Sequence, residues 1–324
     1  MYLPELREMF TTLEFFACDT MCFLTAEGEC AAEALHAAET LCHWYEHLLS
    51  EFIDGTDISR INNTGGYPVE VHPEVAHLLE LSLSYCEASG GRFDITAEPL
   101  ARLWNYHTAQ LPSPSMVEEA KQHVNYRGVH VRDNRVWLDD AQACITLGGT
   151  AKGYIADKMR ELLICRGQER GMVNLGGNIA IFGERSDGFP WEVVLDNPAQ
   201  AGSPVAILDV GPLAVVTSGV SERFFKIDGE RYHHIVDVST GYPAKTDILS
   251  VTVIDSSAMR AEGFSTTLLL AGSKEAYRMA IREGLELLIV RDDGLIITSP
   301  GLISGEPRTA AAIFGVVLPV WQLF

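Results

Sequence analysis

The stretch Tyr232-His233-His234-Ile235-Val236-Asp237-Val238-Ser239-Thr240-Gly241 sets a His-x-x-Asp pair just ahead of a Ser-Thr-Gly turn. A histidine exchanges a proton near neutral pH and a nearby carboxylate can orient it, so the spacing offers proton transfer beside a sharp bend. On spacing alone the plainer role, a polar strand end closed by a glycine turn, is the default. Gly148-Gly149-Thr150-Ala151-Lys152-Gly153 carries a second kind of chemistry. A glycine turn that opens a helix exposes backbone amides at the positive end of the helix dipole, and Lys152 adds a point charge suited to a phosphate. Neither the Walker frame nor GxGxxG is present, and a turn that needs glycine only for its geometry is the competing reading.

Glu262, Ser265 and Thr266 stand at i, i+3 and i+4 of an expected helix and share one face. One carboxylate and two hydroxyls are hard oxygen donors that suit Mg²⁺ and suit zinc poorly, although a capping glutamate with two small polar neighbours accounts for them equally simply. Phe93-Asp94-Ile95-Thr96 offers a carboxylate to a ligand's amide or ribose groups, or a cap to the next helix. Asn174-Leu175-Gly176-Gly177-Asn178 suits a ligand that approaches the backbone closely or, as the default, an ordinary bulge or turn, and Thr217-Ser218-Gly219 has the same ambiguity, with a hydroxyl available to a phosphate oxygen.

These residues need elements to hold them. Asp228-Gly229 marks a tight hairpin joining 223–227 to 231–235. Early strands are expected at 12–16 and 21–25, an amphipathic helix at 29–50, a loop at 52–63, and a Pro73-led helix to Ala88. A helical turn follows at 98–104, a short helix behind Pro112 and Pro114, and a hairpin at Asp133-Asn134. A strand through Ile145-Thr146-Leu147 should lead into the glycine pair and a helix over 150–165. Strands are expected near 172–174, 179–182, 191–195, 205–208, 213–217, 249–254, 287–290 and 295–298, with helices over 257–271 and 274–283. Strands and helices are intermixed with many hairpins, which indicates an α+β fold of mixed, mostly antiparallel sheets flanked by helices.

The chain has 324 residues, 47% hydrophobic and 21% charged, enough for a large core. A net charge of −20 argues against nucleic acid as a partner, so a phosphate compound would have to be held by local devices. Seven cysteines, the last of them Cys165 and without a CxxC pair, suggest reduced core thiols rather than zinc or a disulfide framework. The sequence shows neither a signal-peptide pattern nor an apolar run long enough for a transmembrane segment, and a cytoplasmic location is expected.

In their order, the motifs resemble the ApbE family of FAD:protein FMN transferases, over roughly Phe10 to Leu302. The carriers are Ala17-Cys18-Asp19-Thr20, Asp57-Ile58-Ser59-Arg60-Ile61-Asn62, Phe93-Asp94-Ile95-Thr96-Ala97-Glu98-Pro99-Leu100-Ala101-Arg102-Leu103-Trp104 and Leu147-Gly148-Gly149-Thr150-Ala151-Lys152-Gly153-Tyr154-Ile155-Ala156-Asp157. Val173-Asn174-Leu175-Gly176-Gly177, Thr217-Ser218-Gly219, the His234-to-Gly241 block and Ala261-Glu262-Gly263-Phe264-Ser265-Thr266 complete the set.

The resemblance implies Mg²⁺-dependent transfer of FMN from FAD to a Thr or Ser hydroxyl of a target flavoprotein, with release of AMP. It implies catalytic roles for His234, Asp237 and Lys152, and flavin or FAD contacts from Cys18, Phe52, Arg92, Phe93, Asp94, Thr146, Lys152 and the backbone near Val236. It implies metal ligation by the Gly149 carbonyl and by Glu262, Ser265 and Thr266. Where the family usually has aspartate, this chain has Glu262 and Thr146; Cys18 replaces a common methionine, and Val238-Ser239 replaces Pro-Arg or Pro-Gln. Two alternatives accompany this reading: an FAD pyrophosphatase giving FMN and AMP, and a non-catalytic FAD-binding protein. Residues 1–305 are expected to form one catalytic unit, as one large domain or two intimate lobes. The apolar tail 306–324 lies outside the resemblance and should pack on its own domain or on a partner.

Overall fold

The computed structural model describes residues 10–104, 109–200, 202–221, 223–304 and 311–314. The chain opens with the hairpin β1 (Thr11–Ala17) and β2 (Thr20–Glu27). Its turn residues Cys18 and Asp19 have φ of 52° and 58°, the left-handed conformation that a two-residue hairpin turn requires, here without glycine. Helix α1 (Ala31–Leu49) buries Leu35, Ala38, Cys42, Tyr45 and Leu49, and leaves His36, His43 and His47 exposed.

The stretch expected as a loop over 52–63 ends in a helix, α2 (Asp57–Asn63). Thr56 caps it by accepting from the Ser59 amide at 3.2 Å, and Asp57 sits favourably in the first turn. After β3 (Val69–Glu70) comes α3 (Pro73–Ala88), with Pro73 at its first position as expected. Next are α4 (Glu98–Ala101), the Ser113-capped α5 (Pro114–Lys121), and the hairpin β4 (Val129–Arg132) and β5 (Arg135–Leu138), which turns at Asp133 and Asn134.

The strand expected to enter the glycine pair is reduced to one parallel bridge between Cys144 and Ala97. A side chain replaces the missing strand neighbour. Asn62 donates from Nδ2 to the Ile145 carbonyl at 2.9 Å and accepts from the Ile145 amide at 2.7 Å, so Ile145 has no call for a ladder. Beyond lie α6 (Ala151–Cys165), β6 (Arg170–Leu175), β7 (Asn178–Phe182), β8 (Trp191–Asp196), β9 (Pro204–Val210) and β10 (Ala214–Gly219). The hairpin β11 (Phe224–Ile227) and β12 (Glu230–His233) turns at Asp228 and Gly229, with φ of 51° and 83°. The remainder is β13 (Val236–Asp237), β14 (Tyr242–Pro243), β15 (Ile248–Asp255), α7 (Ala258–Ala271), α8 (Ser273–Glu283), β16 (Glu286–Arg291), β17 (Ile296–Thr298), α9 (Pro300–Ser304) and β18 (Ala311–Phe314).

The chain divides into two compact units. The first gathers the described residues of Met1–Tyr45, Lys152–Gly219 and Asp247–Phe324. Its eight-stranded sheet runs β1-β2-β6-β7-β10-β15-β16-β17, antiparallel at every described pairing, beside a three-stranded sheet β18-β9-β8. Alternate residues point to opposite faces of a strand. Val215, Ile254, Leu288 and Val290 on one face therefore pack with Val193 and Leu208 of the smaller sheet, while α7 packs on β10 and β15. Part of the apolar tail is placed by β18, which pairs antiparallel with β9; the rest of 306–324 lies outside the described residues.

The second unit holds Glu46–Ala151 and Val220–Thr246, with the small sheets β3-β5-β4, β11-β12 and β13-β14 and helices α2 to α5. Its described core includes Leu100, Trp104, Val117 and Phe225. The fold is α+β with mostly antiparallel sheets. No helix among the described residues is long and apolar enough to cross a membrane.

Candidate functional site

In the first unit, the site is built where α6 begins. Asp157, at the end of the glycine-lysine motif, reaches the start of α7. Its carboxylate accepts from the Ala258 amide at 3.0 Å, the Met259 amide at 3.1 Å and the Ser257 hydroxyl at 2.8 Å. The two amides are orphan donors of a helix N-terminus, so Asp157 locks the two helices together. The helices meet closely at Gly153, where an added Cβ would lie 2.4 Å from the Ala258 carbonyl oxygen and 2.7 Å from Met259 Cα. Both neighbours are backbone and cannot swing aside. Gly153→Ala is therefore expected to lower stability by about 2 kcal/mol or more, measured as a shift of the urea midpoint at unchanged m-value.

This crossing sets the geometry of Glu262, which is 4% exposed. Its Oε2 accepts from the Gly153 amide at 2.7 Å and its Oε1 lies 3.0 Å from Lys152 Nζ. Helix α7 is buried on most of its circumference, so the polar residues on it need partners. Ser265 Oγ lies 2.9 Å from the Glu262 carbonyl and 2.7 Å from Ser218 Oγ, and Ser218 is also 3.3 Å from Thr266 Oγ1. Ser218 thus joins the two expected hydroxyls; only its place in Thr217-Ser218-Gly219 hinted at that role. A carboxylate with three hydroxyls is an all-oxygen set whose chemistry fits a hard cation such as Mg²⁺.

Cys18 is half-buried in the β1–β2 turn. Hydrogen bonds to Cys18 and Cys22, then burial, push the Cys42 thiol up. The cysteines are not all core thiols, since Cys30 and Cys165 are exposed, and none of the seven forms a disulfide among the described residues. Gly176 and Gly177, with φ of 60° and 92°, form the two-residue turn of the β6–β7 hairpin, which accounts for that pair structurally.

In the second unit, the two neighbouring histidines separate cleanly. His233 is buried: its Nδ1 accepts from the Ile235 amide at 3.3 Å, so Nε2 carries the proton and donates to the Ala244 carbonyl at 3.0 Å. Burial holds its pKa below the usual histidine value. His234 is half-buried, with Nδ1 3.3 Å from the Arg223 carbonyl. That contact favours the tautomer with Nδ1–H donating, which leaves Nε2 as an acceptor. Asp237 bonds to Ser239 rather than to His234: Oδ1 accepts from the Ser239 amide at 2.9 Å and its hydroxyl at 2.6 Å. The turn is braced by Trp104, whose Nε1 donates to the Gly241 carbonyl at 2.9 Å while its ring stacks on Tyr232. Gly241 has φ of 79° and an added Cβ would meet Val117 at 2.5 Å, so only glycine fits there.

Phe93 is buried against Gly149, where an added Cβ would lie 2.6 Å from the ring. Neither Gly148 nor Gly149 has positive φ, so close approach explains Gly149 better than turn geometry does. Asp94 is buried and taken up by the protein. Oδ1 accepts from the Thr96 amide and hydroxyl at 2.8 and 2.6 Å, and Oδ2 from the Tyr126 amide at 3.1 Å. It does not cap α4, whose N-cap Ala97 makes no side-chain bond. Val236 is buried, Arg92 is exposed with Nη1 3.3 Å from the Ser89 carbonyl, and Phe52 is 81% exposed. Thr146 is half-buried, its amide donating to the Ile95 carbonyl at 2.8 Å. The buried Glu98 accepts from Arg102 Nε at 2.5 Å, and burial first, then the Glu98 charge, pushes Glu51 up to about 8.

The chain is similar to known proteins in sequence and in fold. The ApbE family model matches residues 18–289. The FAD:protein FMN transferase of Treponema pallidum is 32% identical over 309 residues, 88% of this chain and 85% of that protein. The FAD:protein FMN transferase of Salmonella typhimurium is 28% identical, covering 82% of this chain and 78% of that protein. Among solved structures, the ApbE protein of Thermotoga maritima superposes with a TM-score of 0.85 at 30% identity, over 90% of this chain and 97% of that one. The Vibrio cholerae flavin transferase ApbE shares the fold, with a TM-score of 0.82 at 24% identity over 90% and 98% of the two chains. With its helix crossing at Gly153, its His234–Gly241 turn and this breadth of match, the chain belongs to the ApbE family.

Proposed function

We propose that this protein transfers FMN from FAD to a Thr or Ser hydroxyl of a target flavoprotein, with Mg²⁺ as cofactor and AMP as the leaving product. The observation that carries the reading is the Lys152–Glu262–Gly153 cluster at the start of α6, which puts an ammonium and a buried carboxylate at a helix N-terminus. Glu262, Ser265 and Thr266, with the Gly149 carbonyl, would hold the metal. Bound there, Mg²⁺ would neutralise pyrophosphate charge and make AMP a better leaving group.

The acceptor Oγ forms a bond to the FMN phosphorus while the bridging P–O bond breaks and leaves with AMP. His234, through Nε2, takes the proton from the acceptor hydroxyl, and Asp237 orients the reacting groups. Lys152 steadies the phosphate oxygens. Cys18, Phe52, Arg92, Phe93, Asp94, Thr146 and the backbone near Val236 are assigned to FAD. Asp94 acts in this assignment by shaping its loop, since its oxygens already serve Thr96 and Tyr126. Residues 1–305 work as one catalytic entity, and the odd number of cysteines without a CxxC pair supports a reducing, cytoplasmic setting.

The test incubates the protein with FAD, Mg²⁺ and an acceptor carrying a Ser/Thr-Gly-Ala-Ser/Thr segment. The expected result is a flavin-sized mass gain on the acceptor, stoichiometric AMP, and loss of both with chelator. FMN and AMP formed without acceptor at the same rate would instead identify a pyrophosphatase, and bound FAD that never turns over would identify a binding protein.

A further inference from the structure

The hairpin β11–β12 pairs with no other strand among the described residues, so its two faces decide what it does. One face is spent on the core: Phe225 is buried, Tyr232 stacks on both Phe225 and Trp104, and Ile227 packs beside them. Register and alternation put Phe224, Lys226 and Arg231 on the other face, with the buried His233 at its foot. Phe224 is 36% exposed, and Arg231 Cζ lies 4.6 Å and Lys226 Nζ 6.0 Å from its ring centroid, so one ring holds two cations in place.

Lys226 and Arg231 stand directly opposite each other in the register. Like charges so opposed destabilise a hairpin. Neither is ion-paired with a carboxylate among the described residues, although acidic residues outnumber basic ones by 44 to 24 along the chain. The acids of the hairpin lie elsewhere. Asp228 is in the turn, and Glu230, on the other face by alternation, accepts from the Tyr232 hydroxyl at 3.0 Å and lies 3.3 Å from Lys245 Nζ. An anionic partner on Phe224, Lys226 and Arg231 would relieve the repulsion.

The base of the same hairpin holds His234. Its amide donates to the Arg223 carbonyl at 3.0 Å and its Nδ1 lies 3.3 Å from that oxygen, so the residue after β12 is clamped to the residue before β11. From Arg231 to His234 is roughly 10 Å of extended chain.

We propose that this outer face of β11–β12 docks an acidic segment of the acceptor protein, its carboxylates on Lys226 and Arg231 a few residues from the hydroxyl that His234 serves. That the occupant is the acceptor rests on the flavin-transfer reading; that it is acidic rests on the face alone. A net charge of −20 repels an acidic partner at long range, but charges beyond about 8 Å are screened at physiological ionic strength, and a docked segment meets the local cations. Two cations suit a short acidic stretch and are too few to hold a nucleic acid.

The test uses the full chain and two synthetic peptides, each with a Ser/Thr-Gly-Ala-Ser/Thr segment, one flanked by glutamates and the other by glutamines. Fluorescence anisotropy without FAD measures their binding. The glutamate peptide is expected to bind about tenfold tighter at low salt, an advantage that fades as salt is raised. Lys226→Glu and Arg231→Glu should each erase it. Each also turns a like-charge pair into an opposite-charge pair, so neither should lower the urea midpoint. Binding lost from a protein that is no less stable is a result that a merely structural role would not give. In transfer assays both variants should raise KM for the glutamate peptide by about tenfold and leave kcat unchanged. Peptides that bind wild type equally, or not at all, overturn the proposal, as does a glutamate advantage that survives in both variants. A matching loss of FAD affinity in the variants, read by flavin fluorescence, also overturns it, because the cations would then serve the nucleotide. If wild type prefers the glutamate peptide yet leaves FAD intact in its presence, the flavin-transfer reading fails, and the face stands as a site for an acidic segment that is not an acceptor.

Discussion

His234→Ala is expected to slow FMN transfer by roughly a hundred- to ten-thousand-fold, the range lost with a general base, while FAD affinity changes by no more than a few-fold. The neighbouring substitution should behave in the opposite way. His233 is buried and spends both ring nitrogens on backbone, Nε2 on the Ala244 carbonyl and Nδ1 on the Ile235 amide. His233→Ala orphans that pair and opens a cavity, so it should cost about 2–4 kcal/mol of stability while the protein that remains folded still turns over. The pH signature separates the two further. Burial lowers the His233 pKa, so its contribution is complete above the unfolded value of about 6.5 and is lost as pH falls below it. That acid loss should shrink in His233→Ala and persist in His234→Ala. Stopped-flow transfer assays and urea titrations at several pH values make the comparison. Transfer that survives in His234→Ala and collapses in a stably folded His233→Ala would reverse the assignment of the base.

That comparison also marks what the sequence could and could not reveal. The hairpin at Asp228-Gly229, the Pro73 helix and the helix after the glycine pair were legible because local chemistry decides them: positive φ at a turn, proline at a first helical position, apolar periodicity. Ile145 to Leu147 looked like a strand because its side chains suit one, yet Asn62 takes the backbone bonds of Ile145 that a neighbouring strand would have taken. No local pattern carries that information, because the partner is 83 residues away. Glu262, Ser265 and Thr266 were legible as one helix face, whereas Ser218, arriving from β10, needed the tertiary structure to join them. Asp157 is the reverse case: it came with a motif, but its work is architectural, holding the start of α7 so that Glu262 meets Gly153.

Glu262 does two jobs, and a pair of substitutions should pull them apart. Glu262→Ala removes the acceptor of the buried Gly153 amide, which costs about 1–3 kcal/mol, and breaks the ion pair with Lys152. The lysine side chain is 30% exposed and recovers water, so the lost ion pair adds only about 0–1 kcal/mol. A total of roughly 1–4 kcal/mol should appear in the urea midpoint of the metal-free protein. Glu262→Gln keeps an oxygen for the Gly153 amide and gives up only the charge, so its stability should stay within about 1 kcal/mol of wild type. Both variants should nevertheless lose transfer by a hundredfold or more, roughly what a deleted transition-state charge contact costs, because neither presents a carboxylate to a divalent cation. Calorimetric titration with Mg²⁺ should show weakened binding in both, independently of turnover. Aspartate, usual in the family at this position, bears a carboxylate on a shorter stem. Glu262→Asp should therefore retain metal-dependent transfer while giving up part of the Gly153 contact, for a loss of about 1 kcal/mol. A Glu262→Gln protein that transfers FMN at the wild-type rate would leave Glu262 only its structural job, and the metal ligands would then have to be sought elsewhere on the chain.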